Sequence, residues 1–211
     1  MNNHDQKRYV IAISGASGTG KSTLVKALVQ ILGDAVPLYF DDYNPHTVAT
    51  SHYPIDLVKW VADGADPNAW ETPQLALDLR SLRRGEPIKL PGKGEVLLPK
   101  RVLVLEEPFG RERTVMKDVI DFVIAIDAPL EIALARRLLR IAERPDFLDH
   151  LEEQSRAMLS YVRDYLHIGR ELYIAINEQV RKHCDLVLDG MKPIDALADT
   201  TTEWLRNRIE T

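Results

Sequence analysis

The chain has 211 residues, of which 45% are hydrophobic and 28% charged, and this composition is ordinary for a globular protein. Its length favours one domain, residues 1–211, with a sizeable core. The formal net charge of -5 and the pI near 5.7 lack the basic excess that nucleic-acid binding normally needs. We therefore expect no nucleic-acid partner.

Cysteine content and hydropathy bear on the compartment. The single cysteine, Cys184, cannot form an intrachain disulfide and suits a reducing cytoplasm. The N-terminal segment MNNHDQKRYV has no apolar signal core, and no apolar run approaches membrane-spanning length. These features predict a soluble, cytoplasmic protein without a membrane partner.

Five short apolar runs have the length and composition of buried strands. They lie at residues 9–14, 36–40, 101–105, 122–126 and 186–188. Strands that are buried on both faces and alternate with helices predict a parallel sheet covered by helices on both sides, which is an α/β fold.

Apolar residues recur at helical spacing in the segments between these strands. The predicted helices cover residues 22–32, 55–62, 73–84, 129–143, 146–183 and 194–209. Thr72 is predicted to cap the helix at 73–84, and Gly85 is predicted to end it. The long segment 146–183 is predicted to break near Gly169. Residues 88–99, with two glycines, predict short strands and turns.

The strongest motif is GASGTGKS, which matches the phosphate-binding pattern G-x-x-x-x-G-K-S/T without a mismatch. It lies between a predicted strand and an amphipathic helix, as the pattern requires. Glycines let backbone N–H groups point at phosphate oxygens, and the helix directs its positive end at the same anion. Lys21 would contact the β- and γ-phosphates, and Ser22 would bind Mg²⁺. The predicted triphosphate-binding residues are Gly15, Ala16, Ser17, Gly18, Thr19, Gly20, Lys21 and Ser22.

Two other classes of nucleotide-binding protein are disfavoured. A GTPase would be expected to carry an N-K-x-D guanine-reading segment, and the chain has none. A motor or AAA-type ATPase usually places Asp, often Asp-Glu, after its Walker B strand. Here the strand candidate RVLVL is followed by Glu106 and Glu107 instead.

Four segments, in order, resemble elements of the uridine kinase and phosphoribulokinase-like family of P-loop small-molecule kinases. The phosphate motif with Thr23 is similar to G-x-S-G-S-G-K-T/S-T, and FDDY to the acidic element after the second strand. VLVLEEPF is similar to V-x-x-E-G, and ALARRLLRIAER to the lid helix R-L-x-R-R-x-x-R-D-x-x-E-R. DLVLDG resembles the last strand.

The resemblance implies a three-layer P-loop kinase fold with about five parallel strands, a helical lid near residues 136–150 and C-terminal helices. An insertion near 43–100 would bind the acceptor. It also implies ATP and Mg²⁺ as cofactors, Thr23 as a further nucleotide contact, and a small-molecule hydroxyl acceptor as partner. Related kinases are often homo-oligomers.

The acidic element supplies the candidate base. By resemblance, Asp41 takes the proton of the acceptor hydroxyl, which requires a carboxylate within hydrogen-bonding reach. At the carboxyl end of a parallel strand it would also face the ligand crevice, although a turn residue is the alternative. Asp42 would hold Mg²⁺ or only orient Asp41. Glu106 matches the family's Glu and would orient the metal or the acceptor.

Arg136, Arg137 and Arg140 cluster on one predicted helix, where Arg136 and Arg140 share a face. The resemblance implies that Arg136 and Arg140 belong to a lid that closes over the phosphates and neutralises developing charge. A solvated basic face is the alternative. Arg144 is a weaker candidate for a phosphate contact.

The acceptor side departs from the family. Its uridine-binding members carry a Y-D-F segment where this chain has IKLPGKGEVLLPKR, and Pro108 follows two glutamates where a Gly usually follows one. DGADPNAWETPQ resembles the acceptor-binding H-P-x-A-F-D segment. It makes Asp66, Asn68 and Trp70 candidates, with packing as the alternative for Trp70. Tyr43 and His46 are further candidates because long polar loops often carry function.

These features predict an ATP-dependent, Mg²⁺-requiring kinase that phosphorylates a hydroxyl of a small metabolite, with a nucleoside such as uridine as the first expectation. One alternative is a kinase of a non-nucleoside acceptor: a pantothenate-like, sugar or sugar-phosphate substrate. Another is a regulatory nucleotide-binding module without turnover. The presence of Lys21, Ser22, Asp41 and Glu106 together argues against a module without turnover.

Overall fold

A computed structural model describes residues 7–43 and 56–209. All five predicted strands are confirmed, with ends that shift by one residue at most. They are β1 (Tyr9–Ser14), β2 (Ala35–Tyr39), β5 (Val102–Glu106), β6 (Phe122–Asp127) and β7 (Leu186–Asp189). The short strands predicted in 88–99 are β3 (Ile88–Lys89) and β4 (Val96–Leu97), which pair antiparallel as a hairpin.

The five long strands form one parallel sheet in the order β2-β5-β1-β6-β7. The predicted α/β architecture is therefore confirmed. In the sheet register, Glu106 at the end of β5 lies opposite both Ile13 of β1 and Tyr39 of β2. The segments that follow these three strands consequently start at the same edge of the sheet, where ligands bind in such folds.

Seven helices surround the sheet within the described ranges. They are α1 (Lys21–Leu32), α2 (Leu57–Ala62), α3 (Pro73–Arg84), α4 (Leu130–Ala142), α5 (Leu151–Asp164), α6 (Arg170–His183) and α7 (Ile194–Arg206). Residue Ile55, where the second predicted helix began, lies outside the described residues. The segment 136–150 that was predicted as a lid comprises the end of α4 and the turns before α5.

The central strand β1 feeds a separate core on each face of the sheet. Its alternate residues Val10 and Ala12 pack in one cluster with residues of α3 and α6. Ile11 and Ile13 pack in the other cluster with residues of α1 and α7. This alternation follows from the period-two direction of strand side chains, and it explains why the run YVIAIS is apolar at nearly every position.

Two local predictions need correction. The helix at 146–183 does not break at Gly169: α5 runs into α6 through a π-helical turn, Tyr165–Gly169, and Gly169 keeps a helical φ of -60°. Thr72 does occupy the residue before α3, but its side chain makes no capping hydrogen bond there. Its hydroxyl accepts instead from the buried guanidinium of Arg113, a tertiary contact that local sequence rules do not anticipate.

Over the part of the chain that the structure describes, no helix combines the length and the apolar character needed to cross a membrane.

Candidate active site

The loop between β1 and α1 has the conformation of a phosphate cradle. Gly15, Gly18 and Gly20 all adopt positive φ, at 141°, 93° and 104°. Among the described residues, α1 carries neither a side-chain cap nor an acid in its first turn. Its first N–H groups are therefore open to an anion, which is the arrangement that binds phosphates at helix N-termini.

Gly18 has a second reason to be glycine. A Cβ atom at this position would overlap the backbone of Ala133, whose carbonyl oxygen faces it. The phosphate loop thus packs directly on the first turns of α4, the helix that carries the arginine cluster. Any side chain here would push the loop and α4 apart.

Lys21 turns back over the loop rather than outward. Its side chain is 9% exposed, its ammonium donates to the carbonyl oxygen of Ala16 at 3.1 Å, and it lies 3.5 Å from Oε1 of Glu106. Burial lowers the pKa of Lys21, while the charges of Glu106 and Asp41 oppose that effect. A buried cation among carboxylates is well placed to meet the negative charge of a polyphosphate.

Asp41 faces the same space from a short 3₁₀ turn directly after β2. Its carboxylate opens into the cavity and the residue is exposed, although the neighbouring cavity walls partly desolvate the carboxylate. Burial and then the charge of Glu106 raise the pKa of Asp41, against the opposing effects of Lys21 and Arg137. A carboxylate with a raised pKa at the crevice of a parallel sheet has the properties of a general base.

The arginine cluster of α4 lines the same space. Arg136 donates to the carbonyl oxygen of Gly190 at 2.9 Å, and the guanidinium of Arg137 lies 5.4 Å from the centre of the Tyr161 ring. Burial, followed by the charge of Arg137, lowers the pKa of Arg140. Arg144 pairs with Asp146 at the surface and does not line the cavity.

These groups line one cavity of about 440 Å³, called the central cavity below. Its polar wall consists of Gly15, Ser17, Gly18, Gly20, Lys21, Ser22, Thr23, Asp41, Glu106, Arg136, Arg137 and Arg140. Its second wall is largely apolar and consists of Phe40, Trp70, Pro108, Phe109, Leu172, Tyr173, Ile176 and Asn177. A charged half beside an aromatic half suits a polyphosphate beside an organic group.

The structure divides the predicted acceptor residues. Trp70 lines the central cavity, and it also packs on Trp60 and Phe109. Tyr43 is buried and donates to a carboxylate oxygen of Asp78 at 2.8 Å. Asp66 accepts from the backbone N–H of Asn68 at 3.0 Å, so both shape the turn before Trp70 instead of lining the cavity. His46 lies outside the described residues.

Of the three predicted metal ligands, two line the central cavity and one does not. Ser22 and Glu106 line the central cavity, whereas the Asp42 carboxylate accepts from Lys93 of the β3–β4 hairpin at 2.7 Å and is not part of its wall. Within residues 7–43 and 56–209, no three His, Cys, Asp or Glu side chains converge as a metal cage. This arrangement still fits Mg²⁺, which typically binds one or two protein oxygens together with phosphate oxygens.

Sequence reasoning missed two contributions. Arg137 was noted only as a member of a cluster, yet it lines the central cavity and acts on the Asp41 carboxylate. The second is α6, which supplies Leu172, Tyr173, Ile176 and Asn177. The spacing of Leu172, Tyr173 and Ile176 indicates one helix face, but it does not reveal whether that face meets the core or a cavity.

The strand order, the phosphate cradle after the central strand and the basic helix packed on it together define a P-loop kinase, a phosphotransferase. No family model matches the chain. The uridine kinases of Staphylococcus epidermidis and Staphylococcus aureus are 27% and 25% identical to it over 190 residues, 85% of this chain and 86% of theirs. The chain is therefore similar to uridine kinases over most of its length.

Solved structures agree on the fold. A Bacillus stearothermophilus protein described as a possible uridine kinase superposes with a TM-score of 0.52 at 19% identity, covering 87% of this chain and 89% of its own. A gluconokinase from Sinorhizobium meliloti superposes with a TM-score of 0.54 at 13% identity, covering 97% of this chain and 95% of its own. The predicted three-layer P-loop kinase fold is thus confirmed.

Proposed function

We propose that this kinase transfers the γ-phosphoryl group of ATP to a hydroxyl group of a small metabolite, and that a nucleoside is its acceptor. The observation that carries this proposal is the meeting of Lys21, Asp41 and Glu106 in one cavity whose lining also includes aromatic side chains. The name uridine kinase, borne by relatives at 25–27% identity, supports the nucleoside.

The phosphate cradle would hold the triphosphate. Backbone N–H groups of the loop and of α1 would bind its oxygens, and Lys21 would meet the β- and γ-phosphates. Ser22 and Glu106 are the side chains available to Mg²⁺, which when bound to the phosphates neutralises part of their charge. Their oxygen donors fit that ion, because Mg²⁺ prefers carboxylate and hydroxyl oxygens.

The transfer step needs one proton acceptor. The acceptor hydroxyl would lose its proton to the Asp41 carboxylate while its oxygen forms a bond to the γ-phosphorus, and the bond to the bridging oxygen of ADP breaks. Arg137 and Arg140, which line the same cavity, would meet the charge on the transferring group. Arg136, which donates to the carbonyl oxygen of Gly190, would anchor α4 in this position.

The aromatic lining supports an acceptor that carries a flat ring. Trp70 and Phe109 have ring centres 5.8 Å apart, and both line the central cavity. Aromatic side chains can stack on a planar group such as a nucleobase. A non-nucleoside acceptor is the second candidate, because the segment around the β3–β4 hairpin lacks the Tyr and Asp of the uridine-binding Y-D-F segment.

A panel of acceptors monitored by ADP release tests the proposal. Nucleosides, pantothenate-like compounds, sugars and sugar phosphates are each offered with MgATP, and we expect turnover with nucleosides. Lys21→Met should abolish it, while Lys182→Met, an exposed lysine near the end of α6, should not. Turnover with a sugar or vitamin alone would establish the second candidate instead. ATP binding without turnover across the panel would contradict a kinase and indicate a regulatory module.

The cytoplasmic location and the homo-oligomeric assembly expected from the sequence remain predictions.

A further inference from the structure

Three aromatic side chains of the central cavity come from three separate segments. Phe40 follows β2, Trp70 ends the turn before α3, and Phe109 follows β5. The ring centres of Phe40 and Phe109 are 5.9 Å apart, and those of Trp70 and Phe109 are 5.8 Å apart. The three segments are far apart in the chain, so contacts between them must set the distances between the three rings.

A buried ion pair lies behind these rings. Glu107 and Arg113 have exposed fractions of 0% and 1%, and Nη2 of Arg113 donates to Oε2 of Glu107 at 2.5 Å. Neither residue lines the central cavity. Oε1 of Glu107 also accepts from the backbone N–H of Phe109 at 3.2 Å, which fixes the turn that carries this ring.

Arg113 connects the same pair to the other two segments. Its Nη1 donates to the carbonyl oxygen of Trp70 at 2.9 Å and to the hydroxyl of Thr72. The guanidinium carbon lies 5.2 Å from the centre of the Phe40 ring and 5.7 Å from that of Phe109. One planar cation therefore contacts the three segments that carry Phe40, Trp70 and Phe109.

Stability alone does not account for this pair. Burying two charges requires the loss of their hydration, and apolar residues of similar volume are often as stabilising or more so. Burial raises the pKa of Glu107, whereas Arg113 and the Phe109 N–H act in the opposite direction. What an apolar pair cannot supply is a set of directed hydrogen bonds that fixes the positions of three loops.

We propose that Glu107 and Arg113 are positioning residues for the acceptor: their ion pair sets the geometry of the Phe40, Trp70 and Phe109 wall and thereby acceptor affinity and selectivity. This inference rests on the proposed kinase function. Phe40 immediately precedes Asp41, and Glu107 immediately follows Glu106. The pair is therefore in contact with both chain segments that carry the cavity carboxylates.

The first test is Arg113→Lys. A lysine keeps the positive charge but has no planar fork, so it cannot hold Glu107, the Trp70 carbonyl and the Thr72 hydroxyl together. We expect KM for the acceptor to rise about tenfold, equivalent to about 1.4 kcal/mol. The dissociation constant of a non-hydrolysable ATP analogue should stay within about twofold, since the phosphate cradle is built by other residues.

A matched control is Arg83→Lys. Arg83 also joins a carboxylate and a backbone carbonyl, Asp121 at 3.2 Å and Val119 at 2.7 Å, but it lies away from the central cavity. Its replacement should leave both constants unchanged. If Arg113→Lys fails to fold, the double variant Glu107→Leu/Arg113→Met removes both charges and leaves no buried ion unpaired. We expect this variant to fold and to show the same rise in acceptor KM.

The outcomes separate the two proposals. Wild-type enzyme without turnover on any acceptor overturns the proposed function and this inference with it. Wild-type turnover combined with an acceptor KM within twofold of wild type in a folded variant overturns the inference alone. An equal weakening of acceptor and ATP analogue would also overturn it, because it would mean a general loss of structure and not a loss of wall geometry.

Discussion

Asp41 illustrates how the fold adjusts a single residue for chemistry. Its carboxyl has a raised pKa because the cavity walls partly desolvate it and Glu106 lies nearby, with Lys21 and Arg137 opposing. At pH values between the usual Asp pKa and this raised one, the folded chain binds more protons than the unfolded chain. The contribution of Asp41 to the free energy of unfolding therefore falls as pH rises through that window.

Asp41→Asn tests both consequences. The variant should lose about 10²–10⁴-fold in turnover because the hydroxyl proton has no acceptor. It should bind the ATP analogue nearly as well as wild type. Its Tm at neutral pH should be equal or higher, because the variant no longer holds a negative charge that desolvation and Glu106 disfavour. The measurements are ADP release, analogue titration and thermal unfolding. Turnover equal to that of wild type would remove Asp41 from the mechanism.

The same pKa shift predicts a pH profile for wild-type enzyme. A base must be deprotonated to work, so kcat/KM should fall on the acid side at a pH above the ordinary range of an aspartate. Glu106→Gln removes the second-largest contribution to the raised pKa and should move this acid limb to lower pH. An acid limb that stays in place in Glu106→Gln would contradict the assignment of the limb to Asp41.

Gly18 allows a third prediction at this scale. Gly18→Ala introduces positive-φ strain of roughly 1–3 kcal/mol and, in addition, overpacking against Ala133 of about 1–3 kcal/mol. It should weaken ATP-analogue binding because the cradle is displaced from α4. Gly33→Ala is the matched control: its φ is also positive, at 69°, but a Cβ there meets no described atom within 4 Å. Equal destabilisation by both variants, measured in urea, would show that the contact with Ala133 is unimportant.

At the scale of elements, the π-helical turn between α5 and α6 sets the rotation of α5 relative to α6, which lines the central cavity. Such turns occur often at functional sites. α6 is held to the core by Ile176 and Val180, whereas Gln154 is the one residue of α5 that is buried. A change of register at the turn should therefore rotate α5 and leave α6 in place.

Deletion of Leu166, which is exposed in this turn, tests that idea. Removing one residue rotates α5 by about 100° relative to α6 and takes Tyr161 away from Arg137. Loss of a cation–π contact of about 0.5–2 kcal/mol predicts a decrease in turnover of a few-fold to about thirtyfold, with little change in Tm. Tyr161→Ala should reproduce the decrease, and Leu166→Ala should not. Wild-type turnover after the deletion would show that the register is unimportant.

At the scale of the whole molecule, the two cores share the strand β1 and should unfold together. Leu79 lies in the core beneath α3, and Leu205 lies in the core beneath α7. Each Leu→Ala change should lower the free energy of unfolding by about 2–5 kcal/mol. The double variant should show the sum within about 0.5 kcal/mol, since the two sites lie on opposite faces of the sheet.

Urea unfolding, followed by tryptophan fluorescence and far-ultraviolet circular dichroism, measures these values. One shared transition for all variants would agree with the single domain predicted over residues 1–211. Two separated transitions, or a variant that melts only one signal, would contradict it.

Local patterns determined a large part of this protein. The apolar runs and the phosphate motif predicted five strands, their parallel arrangement and the cradle, because strand burial and the glycine loop depend on neighbouring residues in the chain. The acidic element after β2 likewise predicted that Asp41 would stand at the edge of the sheet. These features need no knowledge of distant contacts.

Only the tertiary structure decided which side chains share the central cavity. Asp41 and Asp42 are adjacent in sequence, yet one opens into the cavity and the other pairs with Lys93 of a distant hairpin. Thr72 meets Arg113 instead of capping its helix. Such outcomes depend on contacts between segments far apart in the chain, where burial and charge choose a partner that no local pattern specifies.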